Sequence, residues 1–396
     1  MTAMSPTAST SSATVATAAT VRDDGKPAGR PTADRSAPLV FVYCLNILSC
    51  FAVVLLHTTL PVYGPTPTHL WMRMVGLQAL AIFAVPIFFM ISGMNLLGYR
   101  DRYSTETFFR KRLWRVGRAI LLGSVVCYLL YGLFSSSFYG TDSFIGKFGI
   151  VDFVKRFLTN QINDTYWFFY SIIYLYVLTP VLSLVVRNRR CVEYMLALTA
   201  LVAVVFPLAE RFHLAPAYVN TLFGWPLFSS ISLLYFLAGY YFHVYWKPVR
   251  HQAALAGTVF VLCVIGMTWM GLRSNEYGHA GAYDSYYAGI TSPLCVLQTL
   301  ALFLLFQSFE PKLRNISAKA MQWLKLVSGA SLGVYLFHIL VINWIHPDIL
   351  SRVLGKLSSL PFLKAVVVYV AVAVAVMAGR WLIARAKRLC HSRAAD

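Results

Sequence analysis

Asn46 and His57 are eleven residues apart in a stretch, Leu45 to His57, whose other members are apolar save Ser49 and Cys50. At about 1.5 Å of rise and 3.6 residues per turn, they lie on nearly one helix face, roughly 16 Å apart along the axis. His57 is the one side chain in this block able to accept and release a proton near neutral pH. An imidazole at the end of an apolar helix can equally serve to stop it at an interface, so spacing alone leaves both roles open.

Four further groups break the apolar pattern. Pro86 and Gly93 bracket Ser92 in Pro86-Ile-Phe-Phe-Met-Ile-Ser92-Gly93; the proline removes a backbone donor and predicts a kink that releases carbonyls toward neighbours or a cavity. Arg110, Lys111, Arg112, Arg115 and Arg118 form a dense basic cluster. Arg112 and Arg115, three apart, share a helix face and can grip phosphate oxygens in the planar, bidentate manner unavailable to lysine; a topology-setting anchor would look much the same. Trp167, Tyr170 and Tyr174 follow Asp164 on one stripe, fit for stacking on a sugar ring or for an aromatic belt. Tyr335 and His338 form a last pair, in which His338 reads either as a site residue or as a hydrogen-bonded core histidine. The fifteen acidic residues all fall in loops, tails or helix ends, Glu193 and Glu210 among them, which weighs against an ion-coupled transporter. Phosphate-loop, zinc-protease and nucleotide-binding glycine patterns are lacking.

These residues must be positioned by membrane helices. The chain is 58% hydrophobic and 12% charged, with mean hydropathy +0.63, against about 25% charged residues in soluble domains. Its apolar residues come in blocks of about twenty, enough to span roughly 30 Å of hydrocarbon as a helix. The spacing predicts an all-α, polytopic integral membrane protein of about ten transmembrane helices, near 38–59, 75–98, 113–134, 166–186, 192–212, 221–244, 252–272, 290–309, 323–345 and 361–384. Residues 1–36, rich in Ser, Thr and Ala, read as a disordered tail, and 387–396 as a basic tail. With both termini cytoplasmic, the outer side holds Arg73, Lys147, Lys155, Arg156, Arg211, Arg273, Arg352, Lys356 and Lys364, nine of the 34 Lys and Arg, and the inner side the other 25. That asymmetry favours N and C termini inside and a multi-pass location in the cell membrane. It also accounts for most of the +19 charge through membrane lipids, with no nucleic-acid partner. The seven cysteines show no pairing or metal-ligand spacing, and Cys44, Cys50, Cys127, Cys263 and Cys295 read as small hydrophobes.

Taken in order, Val53-Val-Leu-Leu-His57, the Pro86–Gly93 segment, Phe109-x-x-Arg112-x-x-Arg115, Tyr166-Trp-Phe-Phe-Tyr170 and Ser331-Leu-Gly-Val-Tyr335-Leu-Phe-His338 resemble the membrane acyltransferase 3 family, in particular its surface-polysaccharide O-acyltransferase branch. The resemblance runs from Leu45 to about Ile342. It implies a membrane acyltransferase domain over 37–386 that moves an acyl group, acetyl in the first instance, from acyl-CoA to a hydroxyl of a carbohydrate or glycolipid. It implies that His57 is the catalytic histidine and that Arg112 and Arg115, with neighbouring Lys111, belong to the basic motif associated with the acyl-CoA donor; acyl-CoA is then a co-substrate, and no bound cofactor or metal is expected. Asn46, Ser92, Trp167, Tyr170, Tyr174, Asp164, Glu210 and His338 are candidates for lining the path or meeting the acceptor. Asn46 departs from the pattern, since many members carry an arginine there and a neutral amide cannot pair with phosphate. The alternative of another class is a transporter or flippase for a lipid-linked sugar.

Overall fold

A computed structural model describes residues 39–138, 148–214, 230–344 and 348–393; the tail over 1–36 lies outside them. The described chain is helical: α1 Val40–Thr58, α2 His69–Ala81, α3 Ala84–Leu96, α4 Thr105–Phe108, α5 Trp114–Leu133, α6 Ile150–Leu158, α7 Trp167–Val185, α8 Arg189–Ala200, α9 Phe206–Arg211, α10 Ile231–Val244, α11 Gln252–Ser274, α12 Pro293–Leu313, α13 Ala318–Asn343, α14 Asp348–Lys356 and α15 Pro361–Arg393. Among the described residues, nine helical segments are long and apolar enough to cross a membrane. The shorter α10 occupies the expected 221–244 segment, whose first part lies outside the described residues. The protein is therefore a multi-pass membrane protein. Helix α6, inside the expected 135–163 break, packs Phe153 and Phe157 on the core, while Val151, Val154 and Leu158 on the other face are exposed.

Two breaks in helical regularity position the functional groups. The second span is split between Ala81 and Ala84, because Pro86 has no N–H for the carbonyl of Ile82 and its ring crowds that oxygen. Farther along this span, a Cβ on Gly93 would lie 1.7 Å from the Phe236 carbonyl oxygen, and one on Gly239 2.0 Å from that of Met90. Helices α3 and α10 thus cross with their backbones in contact, as small residues permit in membranes. The second break is a π-helical turn, Phe109–Leu113, joining α4 to α5 through the basic cluster; such turns recur at functional sites.

Helix α1 is the hub, packed against α2, α3, α12, α13 and α15, so its polar groups face protein rather than lipid. Its N-terminus presents orphan N–H groups, and Leu39 at the cap offers no side-chain acceptor. Glu310 of α12 supplies one: its carboxylate accepts from Phe41 N at 2.9 Å and Val40 N at 3.3 Å, and from Arg314 Nε at 2.9 Å. This buried carboxylate fixes the axial position of α1, and with it His57 at the far end.

Candidate active site

His57 lies in the last turn of α1 and meets His338, from the last third of α13, with ring centroids 4.9 Å apart. Carbonyl oxygens only accept hydrogen bonds, and this fixes both tautomers. His338 Nδ1 stands 2.9 Å from the Tyr335 carbonyl and 3.1 Å from that of Val334, so it carries the proton and donates. Its Nε2 therefore keeps a lone pair, 3.3 Å from His57 Nδ1. His57 Nδ1 donates to the Val53 carbonyl at 2.8 Å and is shared with His338 Nε2. In neutral His57 the remaining nitrogen, Nε2, is left unprotonated and basic. His338 is fully buried and His57 only partly so, which makes His57 the accessible member.

The start of α7 is tied to α13 one turn before His338. Tyr335 Oη donates to the Thr165 carbonyl at 3.1 Å, and Tyr166 Oη to the Leu336 carbonyl at 2.8 Å. These bonds bring the Asp164 carboxylate within electrostatic reach of His57, Tyr131 and Tyr335. On the expected aromatic stripe, Trp167 packs its ring 6.5 Å from Phe89 and stays partly exposed, Tyr170 Oη donates to the Phe157 carbonyl, and Tyr174 packs at the rim of the core. Glu210 is carried by α9, in the fifth span.

At the opposite end of the bundle, where α1 and α5 both begin, the charges of Arg112 and Arg115 bear on the buried hydroxyl of Tyr176, beside which lies Ser92 of α3. Lys111 points elsewhere, its ammonium 5.5 Å above the Tyr103 ring. The Tyr103 hydroxyl is buried and has no hydrogen-bond partner. Between the two ends, Asn46 Nδ2 donates to Ser328 Oγ at 2.8 Å, the Ser328 carbonyl at 3.0 Å and Ser331 Oγ at 3.1 Å, while Cys50 Sγ reaches the Ser331 carbonyl at 3.5 Å. Asn46 thus clamps α1 to α13.

Tyr176, Tyr103 and Ser328 were not singled out from the sequence, and Tyr166 entered only as the first residue of a motif, with no role of its own. Tyr166 and Tyr176 belong to the buried face of α7 with Phe169 and Ile172, offset from the Trp167, Tyr170 and Tyr174 stripe; following that second stripe would have found them. Tyr103 carries no sequence signal, since a tyrosine in a polar turn is commonplace.

A family model described as an acyltransferase domain matches residues 41–385, which takes in both ends of this arrangement. No curated protein and no solved structure matches the chain.

Proposed function

Since the chain belongs to the membrane acyltransferase 3 family, whose chemistry is acyl transfer, we propose that it moves an acyl group, acetyl in the first instance, from cytoplasmic acyl-CoA to a hydroxyl of a cell-envelope carbohydrate. The observation that carries this reading is the His57–His338 pair, in which every hydrogen-bond constraint leaves a basic nitrogen on the more accessible ring. His57 Nε2 takes the acceptor hydroxyl's proton as that oxygen bonds to the thioester carbonyl carbon. The C–S bond then breaks, and the thiolate leaves with the proton returned by His57. His338 touches neither substrate. Its role is positioning: it holds the proton of His57 on Nδ1 and offers a lone pair to the imidazolium that forms.

The donor's phosphates are assigned to Arg112 and Arg115, with Lys111 adjoining and Ser92 and Tyr176 lining the way inward. The long pantetheine arm runs between the helices and carries the thioester to His57. The acceptor arrives from the other side, toward Asp164, Trp167, Tyr170, Tyr174 and Glu210. This sidedness rests on the Lys and Arg asymmetry, which favours cytoplasmic termini and external 135–163 and 273–289 segments. Incubating the purified protein with labelled acetyl-CoA and a panel of envelope glycans tests the reading. A labelled, base-labile ester on a glycan is the expected product. Movement of lipid-linked sugar across vesicles with no ester formed would replace acyl transfer by transport.

A further inference from the structure

The basic turn has two faces. Arg112 and Arg115 bear on Tyr176 in the interior, whereas Arg110 lines an open apolar groove of about 640 Å³ with Phe109, Leu113, Trp114, Gly117 and Ile173. Two residues of helix carry a side chain to nearly the opposite side, which sets Arg110 apart from Arg112 within the π-helical turn Phe109–Leu113. Trp114 is 60% exposed in the groove, and the Arg118 guanidinium lies 5.5 Å above its ring. A Cβ added at Gly117 would meet no atom within 4 Å, so the floor is open there. Beyond the groove the exposed apolar face of α5 continues through Leu121, Leu122 and Leu129, as a surface against hydrocarbon does.

An apolar groove that opens to lipid, with Arg110 and Trp114 in its lining and the Arg118 guanidinium over the Trp114 ring, fits one ligand chemistry. We propose that it binds an anionic phospholipid, with an acyl chain along Leu113, Gly117 and Ile173 and the phosphodiester on Arg110 and Arg118. Arginine suits phosphate oxygens through its planar fork, and tryptophan suits the headgroup level. A zwitterionic lipid brings an ammonium that the same two cations repel. The site stands apart from the acyl-donor reading, because neither Arg110 nor Arg118 is assigned to the donor.

The test uses the full chain in phosphatidylcholine vesicles doped, at equal mole fractions, with chain-brominated phosphatidylglycerol or chain-brominated phosphatidylcholine. Bromine quenches nearby indoles, and subtracting the Trp114→Phe signal isolates Trp114 from the nine tryptophans. Quenching of Trp114 should report about fivefold or greater enrichment of phosphatidylglycerol, the scale of one basic side chain near a bilayer surface. Arg110→Gln with Arg118→Gln should abolish the preference, and Gly117→Leu, which fills the floor, should reduce quenching by both lipids. Equal quenching by the two lipids in the unchanged protein, or a preference that survives the double substitution, would overturn the proposal.

Discussion

Replacing His338 by leucine isolates what the histidine pair contributes. When His57 Nε2 takes a proton the ring becomes cationic, and its Nδ1–H donates more strongly to its two acceptors, the Val53 carbonyl at 2.8 Å and His338 Nε2 at 3.3 Å. His338→Leu deletes the second acceptor. A hydrogen bond involving a charged group contributes about 1.5–3 kcal/mol, which at ~1.36 kcal/mol per tenfold is roughly 10- to 150-fold in kcat. KM for the acyl donor should stay put, since His338 is fully buried and touches no substrate in this scheme. His338→Gln, which can place an amide oxygen near the position of Nε2, should recover most of the loss. The assay is steady-state transfer from labelled acetyl-CoA, with detergent-solubilised variants matched for monodispersity and thermal midpoint. The reasoning fails if His338→Leu leaves kcat unchanged, because the pair is then mere packing. It fails equally if His338→Leu is as inactive as His57→Ala while Gln rescues nothing, since His338 would itself be the base.

His57→Ala should abolish transfer while leaving expression and insertion intact, and His57→Gln should be nearly as inactive, a loss of about 10²–10⁴-fold for a proton-transfer group; turnover with Gln would move the base elsewhere. Arg112→Lys and Arg115→Lys keep charge but lose the bidentate fork, so each should raise the donor's KM by about tenfold, the scale of one charge-assisted hydrogen bond, in initial-rate measurements at varied acyl-CoA. Asn46→Leu removes the clamp on Ser328 and Ser331 and should cost about 1 kcal/mol of stability, the range of interhelical hydrogen bonds in membranes, read as a lowered unfolding midpoint in detergent. Single cysteines placed in 135–163 or 273–289 of a cysteine-free variant should react with an impermeant thiol reagent added outside; labelling only after lysis would reverse the assigned topology.

Segment identity was legible because it depends on local hydropathy. Nine of the ten expected spans correspond to long apolar helices, and the tenth to the shorter α10. The kink was legible for the same reason, since Pro86 acts on its own helix, although the break falls ahead of it at Ile82 and Phe83, where the displaced carbonyl lies. Two features left no mark of their own in the sequence. The π turn arises where α4 hands over to α5, in residues whose composition alone reads as an ordinary basic helix end. The Glu310 cap joins residues 269 and 270 positions apart, a pairing that exists only once α12 packs beside α1.

The histidine pair falls between these cases. On α13, Ser328, Ser331, Tyr335 and His338 recur at steps of three and four, which is one helix face. On α1, Asn46, Cys50, Val53 and His57 do the same. The contacts match them in order: Asn46 with Ser328 and Ser331, Cys50 with Ser331, His57 with His338. Partners thus advance together along two parallel helices, and a slip of one residue would turn every polar group off its seam. Each seam was visible separately as a polar stripe within an apolar block, but nothing local says that one stripe answers the other. Register between α1 and α13 is therefore what Asn46 supplies. An amide that clamps α1 to α13 some 16 Å from His57 holds the two imidazoles at the depth where their nitrogens meet.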